Sequence, residues 1–358
     1  MGDALRVGLV GIGNISGQYL ATLPGLSGVS LVAAADLDPS RQVPDVRMMT
    51  PAALYEADDV DLVLNLTIPR AHAEVALSAI AAGKHVYNEK PLALSTVEGQ
   101  EVLAAASAAG VRVGCAPDTV LGTGTQTARR CIDDGLIGEP VAATAFMVTP
   151  GHERWHPAPE FYYQPGGGPL FDMGPYYLTA LVTLLGPVRR VSGMSSTPHP
   201  ERTIGNGPRA GTTFPVAVPT HITGTLEHAN GALTTLLMSF DVWEANLPRI
   251  EVYGTSGSLS VPDPNNFTGE VRVFRPETAG RSDSAAWTTV APSAGHRHAG
   301  RGTGVADLAT ALATNTDHRA NGTLAYHVLD VMESLLRAAE TATTQDITST
   351  CPRPAPVT

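Results

Sequence analysis

The sequence predicts two domains of different class: an N-terminal α/β domain on a parallel sheet, then an α+β domain on a large, open, mainly antiparallel sheet. Three observations predict this. From Leu5 to Cys115 short apolar runs alternate with helical stretches, as in parallel strands joined by crossover helices. The first run, Leu5 to Val10, passes directly into the turn Gly11-Ile12-Gly13-Asn14-Ile15-Ser16 and then a helix. Past Asp118 the runs lengthen, alternate in polarity and are joined by Gly, Asn and Pro turns, which is the signature of an antiparallel sheet. The chain of 358 residues is long enough for two cores. The boundaries read as 1–118 and 119–342, with the Thr- and Pro-rich stretch 343–358 as a mobile tail.

Each element has its own reason. In the G-x-G-x-x-S turn Gly11 permits the tight bend, and Gly13 lets the backbone approach a pyrophosphate seated on the helix N-terminus. Ser16 stands where a small residue suffices. A strand at 30–35 ends in Asp36, where a carboxylate can accept hydrogen bonds from an adenosine ribose. Asp36 and Asp38 repel a 2′-phosphate, which favours NAD over NADP, while nearby Arg41 keeps NADP open. The competing reading of Asp36 is a turn or cap residue. Pro39, Pro44 and Pro51 leave little room for a helix before a short strand at 46–49. The strand 61–66 ends at Thr67-Ile68-Pro69, and the Ala-rich helix 70–82 follows, with His72 early in it as a packing or capping residue. The strand 83–87 delivers Asn88-Glu89-Lys90-Pro91 to the carboxyl edge of the sheet, where α/β folds bind ligands. A lone Lys-Pro would read as a solvated lysine beside a turn. Helix 96–109 and strand 111–115 complete the domain.

In the second domain a helix at 124–134 leads to the strand 141–148. Asn230-Gly231 joins a hairpin of 220–228 with 232–242. Strands at 249–253, 258–261, 271–275 and 287–290 continue the sheet, and helices at 305–314 and 324–341 follow. The run from Gly166 to Leu178 opens an apolar helix ending at Gly186. A proline is best tolerated in a first turn, so Pro175 sets Asp172 near the N-cap and Tyr176 one turn later on the same face. Carboxylate and phenol can then address one ligand, or serve as a plain cap and a core tyrosine. His152, Trp155, His156 and Tyr163 lie just upstream in a stretch dense in rings and donors, which suits a polyol or sugar and equally suits an interdomain contact.

Composition excludes several classes. A net charge of −11 without a basic stripe disfavours nucleic acid, and no apolar run approaches the ~20 residues of a membrane span. Met1-Gly2-Asp3-Ala4 shows no signal sequence, so a cytoplasmic protein is expected. Cys115, Cys131 and Cys351 are odd in number and far apart, which argues against a disulfide framework and a thiolate metal cage; no metal is expected. A small-molecule partner remains.

Taken together, Gly11-Ile12-Gly13-Asn14-Ile15, Asp36, Thr67-Ile68-Pro69 with His72, Asn88-Glu89-Lys90-Pro91 and Asp172-Met173-Gly174-Pro175-Tyr176 resemble, in order and spacing, the Gfo/Idh/MocA family of oxidoreductases. The resemblance spans roughly residues 5–340. It implies a Rossmann domain that holds NAD through Gly11, Gly13, Asn14, Ile15, Asp36, Thr67, Pro69, His72, Glu89 and Lys90. It also implies that Lys90 reaches both nicotinamide and substrate, and that the Lys90-Pro91 bond is cis. A sugar, cyclitol or glycoside would meet His152, Trp155, His156, Tyr163, Asp172 and Tyr176, and copies would associate as a dimer or tetramer through the open sheet. Most relatives carry histidine at the position of Tyr176; the tyrosine is similar to the glucose-fructose oxidoreductase branch. A phenol of pKa ~10 is a poor base at neutral pH, but a neighbouring ammonium and the nicotinamide cation favour phenolate. The implied reaction passes hydride between a secondary carbinol carbon and nicotinamide C4. Tyr176 exchanges the hydroxyl proton, Lys90 polarises the same oxygen, and Asp172 orients substrate and Lys90. Alternatives are a keto-sugar reductase of nucleotide-sugar or antibiotic-sugar biosynthesis, a tightly held cofactor recycled between two substrates, and a dinucleotide-sensing regulator without chemistry. The presence of Lys90, Asp172 and Tyr176 together counts against the last.

Overall fold

The structure, a computed structural model, describes residues 4–276 and 286–358; Met1, Gly2 and Asp3, read as the lead into the first strand, lie outside the described residues. By contact the chain divides into two units, Met1–Leu121 with His298–Leu329, and Gly122–Arg297 with Asp330–Thr358. The expected boundary at 118 falls close to the first crossing, but the segment 298–329, assigned to the second domain from sequence, belongs with the first unit.

The first unit begins with β1 (Leu5–Val10), α1 (Ser16–Thr22), β2 (Val29–Ala35), β3 (Arg47–Met49), α2 (Pro51–Glu56), β4 (Leu62–Asn65), α3 (His72–Ala81), β5 (His85–Asn88), α4 (Thr96–Ala109) and β6 (Val113–Cys115). Its six strands run parallel in the order β3-β2-β1-β4-β5-β6. Strands covered on both faces must be apolar throughout, which is why β4 is buried at every residue. One face packs Val63 and Val86 against Ala76, Ile80 and Val102 of the helices; the other packs Leu9, Leu64 and Tyr87 against Tyr19 and Leu23. The helix α4 has the predicted bounds because Ser95 caps it, accepting from the Glu98 amide at 3.2 Å, and Gly110 ends it in a left-handed conformation. The short α2 was not foreseen, although Thr50 accepting from the Ala53 amide and Pro51 in the first turn are ordinary start signals.

The second unit holds α5 (Thr123–Asp133), β7 (Pro140–Val148), α6 (Gly168–Leu185), β8 (Val188–Ser196), β9 (Glu201–Thr203), β10 (Thr213–Pro215), β11 (His221–His228), β12 (Leu233–Ser239), β13 (Ile250–Gly254), β14 (Gly257–Val261), β15 (Val271–Phe274) and β16 (Thr288–Val290). The chain then forms α7 (Thr303–Thr314) within the first unit, where Val305 and Leu308 join the core beside Tyr87. Next, α8 (Gly322–Thr341) carries it into the second, which ends with β17 (Gln345–Asp346). Nine strands form one sheet in the order β16-β15-β14-β13-β7-β12-β11-β8-β17, antiparallel except where β12 meets β7. The open, mainly antiparallel sheet and the β11–β12 hairpin match the sequence reading. Among the described residues, no helix is long and apolar enough to cross a membrane.

Two expectations need correction here. The stretch 343–358 is packed: β17 pairs with β8, Arg353 bonds Asp133 at 2.6 Å and the Thr183 carbonyl at 2.7 Å, and the Val357 amide donates to Gln126 at 2.9 Å. Proline there precludes a continuous ladder, and side-chain anchors replace it. Second, Pro175 lies inside α6, which starts at Gly168 with Pro169 in its first turn. Asp172 is therefore interior and not a cap. Pro175 has no N–H, so the Phe171 carbonyl loses its intrahelical donor in the turn that carries Asp172.

Candidate functional site

In the first unit the expected residues gather at the carboxyl ends of β1, β2, β4 and β5. Gly11 has φ +97, and a Cβ there would lie 2.8 Å from the backbone of Leu66 and Thr67, so only glycine fits. Around Gly13 the opposite holds: a Cβ would meet nothing within 4 Å. The open space over its backbone is what a close-lying pyrophosphate needs, and no side chain caps the start of α1. Asp36 binds the turn itself, since Oδ2 accepts from the Ile12 amide at 2.6 Å and Oδ1 from the Asp38 amide at 2.9 Å. The structure shows the turn reading of Asp36, and each carboxylate oxygen keeps a second lone pair. Arg41 donates to the Ile12 carbonyl at 2.8 Å and lies 3.7 Å from Asp36. The turn thus combines open space over Gly13 with a carboxylate at the end of β2.

Lys90 is half-buried just past β5, and the Lys90-Pro91 peptide bond is cis. Its main chain is framed by protein. The Lys90 amide donates to Glu89 at 2.9 Å, and the other Glu89 oxygen accepts from the Tyr19 hydroxyl at 2.8 Å. His72 places Nδ1 2.6 Å from the Pro91 carbonyl and Nε2 3.0 Å from the Thr67 carbonyl, and burial lowers its pKa. Asn65 bonds Asn88 at 2.9 Å and the Thr67 hydroxyl at 2.6 Å. Glu89 and His72 are 6% and 1% exposed, and hold the Thr67-Pro69 and Lys90-Pro91 turns together from within. Tyr19 and Asn65 belong to this frame without having been singled out from sequence, and Asn88 was noted there only as part of the Asn88-Glu89-Lys90-Pro91 motif. A polar residue at the end of each apolar strand was the available signal.

In the second unit, His152 Nε2 lies 2.9 Å from Asp172 Oδ2, with both side chains about one-seventh exposed. Tyr176, four residues on, shares the helix face of Asp172 and is buried. The His152 ring is enclosed by Phe240, Tyr162 and Trp155, with centroids at 4.4, 4.5 and 5.3 Å. His156 stands edge-on to Trp155 at 5.3 Å, and burial lowers its pKa. Trp155 is 55% exposed and can meet a ligand.

Tyr163, expected to touch substrate, has its hydroxyl taken up by protein. It is fully buried, its hydroxyl donates to Glu153 and accepts from the His152 amide at 3.1 Å, and burial with the Glu153 charge pushes its pKa well up. Behind it Arg202 bonds Glu153 at 3.0 Å and also Asp241, which accepts from Thr220 at 2.7 Å. This buried Glu153–Arg202–Asp241 triad fixes the 152–154 turn. No local pattern marks it, because its members are drawn from three separate segments.

Fold and loop geometry define a dinucleotide-binding α/β protein with a second, sheet-based domain. A model described as oxidoreductase family, NAD-binding Rossmann fold, matches residues 5–116, and the GFO/IDH/MocA C-terminal domain model matches residues 125–260. The chain belongs to the GFO/IDH/MocA family of NAD-binding oxidoreductases. It is similar to the 1,5-anhydro-D-fructose reductase of Ensifer adhaerens, at 31% identity over 56% of this chain and 56% of that protein. The chain spans about half the length of such curated relatives. A longer match, at 27% identity over 75% of this chain and 87% of the other, is to the dTDP-3,4-didehydro-2,6-dideoxy-alpha-D-glucose 3-reductase of Streptomyces antibioticus. Among solved structures, apo levoglucosan dehydrogenase superposes with a TM-score of 0.82 at 21% identity, covering 98% of this chain and all of that one, a likeness of fold.

Proposed function

We propose that this protein is an NAD-dependent oxidoreductase that interconverts a secondary alcohol and ketone on a sugar, cyclitol or glycoside. The observation that carries the reading is Lys90, presented at the end of β5 in the sheet whose glycine turn leaves open space over Gly13. Gly11, Gly13, Asn14 and Ile15 hold the pyrophosphate, Asp36 the adenosine ribose, and Thr67, Pro69 and Lys90 the nicotinamide half. When bound, the nicotinamide of NAD would supply the hydride acceptor or donor. Lys90 polarises the carbinol oxygen, Tyr176 holds or takes its proton, and Asp172 orients the substrate. His72 and Glu89 act by fixing the main chain at Thr67 and Lys90. His152, Trp155 and His156 face the rest of the substrate.

A keto-sugar reductase is the second reading, favoured by the longer alignment with the Streptomyces reductase. A cytoplasmic setting fits the three buried, unbonded cysteines, and association of copies through the large sheet completes the proposal. The test is NADH absorbance with NAD, and separately NADP, across sugars, inositols, glycosides and keto-sugars. Turnover with NAD that falls at least ~10²-fold in Lys90→Ala is expected. No turnover in either direction with any compound, despite calorimetric NAD binding, would favour the sensing regulator.

A further inference from the structure

Tyr176 is 4% exposed, so a proton it takes from a substrate must reach water by way of another group before the next turnover. We propose that His152 is that group, the proton relay between Tyr176 and solvent. This rests on the oxidoreductase reading above and adds a residue to its machinery.

Several observations converge on this side chain. Its Nε2 contacts Asp172, the residue one turn before Tyr176 on the same face of α6. A carboxylate at that nitrogen fixes the tautomer, with Nε2–H donating to Asp172 and the lone pair left at Nδ1. Among the described residues Nδ1 has no hydrogen-bond partner, and the side chain keeps 13% of its surface exposed. The other carboxylate close by, Glu153, is engaged by Tyr163 and Arg202, which leaves Asp172 as the anion that stabilises an imidazolium. Finally, the ring's position is built: three aromatic rings enclose it, and its amide is held by Tyr163 on top of the buried Glu153–Arg202–Asp241 triad.

The step balances without any change of oxidation state. Tyr176 Oη–H gives its proton, through a substrate hydroxyl or a bound water, to His152 Nδ1. The O–H bond breaks as the Nδ1–H bond forms, Asp172 holds the resulting imidazolium at Nε2, and Nδ1 then releases the proton to solvent, restoring the phenolate. For ketone reduction the same path runs inward.

The experiment compares wild type, His152→Ala and His152→Gln on a substrate found above. Glutamine keeps a donor toward Asp172 but carries no proton onward, and NAD calorimetry with thermal melting confirms that both variants are folded. Both are expected to lose at least ~10²-fold in steady-state turnover while keeping NAD affinity. Added imidazole should restore His152→Ala by tenfold or more, saturably, and leave His152→Gln unmoved because its side chain fills the space. Turnover within threefold of wild type in either variant overturns the relay. So does a slow, folded His152→Ala that imidazole does not accelerate, since that is the behaviour of a merely structural histidine. The two proposals fail separately. A wild type that turns over and dies in Lys90→Ala, with His152→Ala unaffected, refutes the relay alone.

Discussion

Lys90 and His152 are held in place by different means. Lys90 sits in a frame of main-chain bonds, with Glu89 on its own amide and His72 on the carbonyl of the next residue. His152 is held by side chains: a carboxylate on Nε2, three rings around it, and a tyrosine hydroxyl on its amide backed by an ion triad. A main-chain frame at the end of a parallel strand comes with the fold and tolerates change around it. A side-chain frame depends on every member, because removing one leaves buried charge without a partner.

That difference can be broken in order of size. Arg202→Ala strands Glu153 and Asp241, both under a tenth exposed, and should destabilise the protein by about 3–5 kcal/mol, read as a fall in the urea midpoint. Tyr176→Phe should lower turnover by at least ~10²-fold, equivalent to about 2.7 kcal/mol, with NAD affinity unchanged; normal kcat would remove Tyr176 from the chemistry. Tyr19→Phe takes one donor from Glu89 but leaves the Lys90 amide bond intact. A cost of about 1–3 kcal/mol is expected by the same urea assay, so a loss equal to that of Arg202→Ala would abolish the contrast.

The smallest effect per residue concerns His72 in the first unit and His228 in the second, whose pKa values burial lowers in the fold. The unfolded chain takes up these protons first. Their contribution is therefore fully present above the unfolded value of ~6.5 and is lost as pH falls below it, at up to about 1.4 kcal/mol per pH unit for each ring. Urea midpoints at about pH 7.5 and about pH 5.5 should differ less in His228→Gln than in wild type.

The same contrast explains what could be read from sequence. Gly11, Gly13, Asp36 and Lys90 each follow an apolar run, and the rule that ligands meet the carboxyl ends of parallel strands is local. Asp172 and Tyr176 were paired correctly by helical spacing, yet Pro175 misled on where α6 begins, because Gly168 and Pro169 had already started it. Tyr163 was misplaced for a deeper reason: its partner Glu153 is bound to Arg202, 49 residues away in sequence. Nothing in the spacing of residues reports such a bond. Membership of 298–329 in the first unit was equally hidden, since an amphipathic helix such as α7 shows that it packs and not on what.

The pairing of Gln345 and Asp346 with β8 has a practical meaning for handling the protein. An uncovered β8 would present open main-chain groups at the rim of a nine-stranded sheet, a template on which further chains can add. The last residues cover that rim at Arg190 and Val191. Shortening the chain near Thr343, or pulling the cover away with a fused partner, should raise edge-to-edge association of the sheet while leaving every residue of the glycine turn in place.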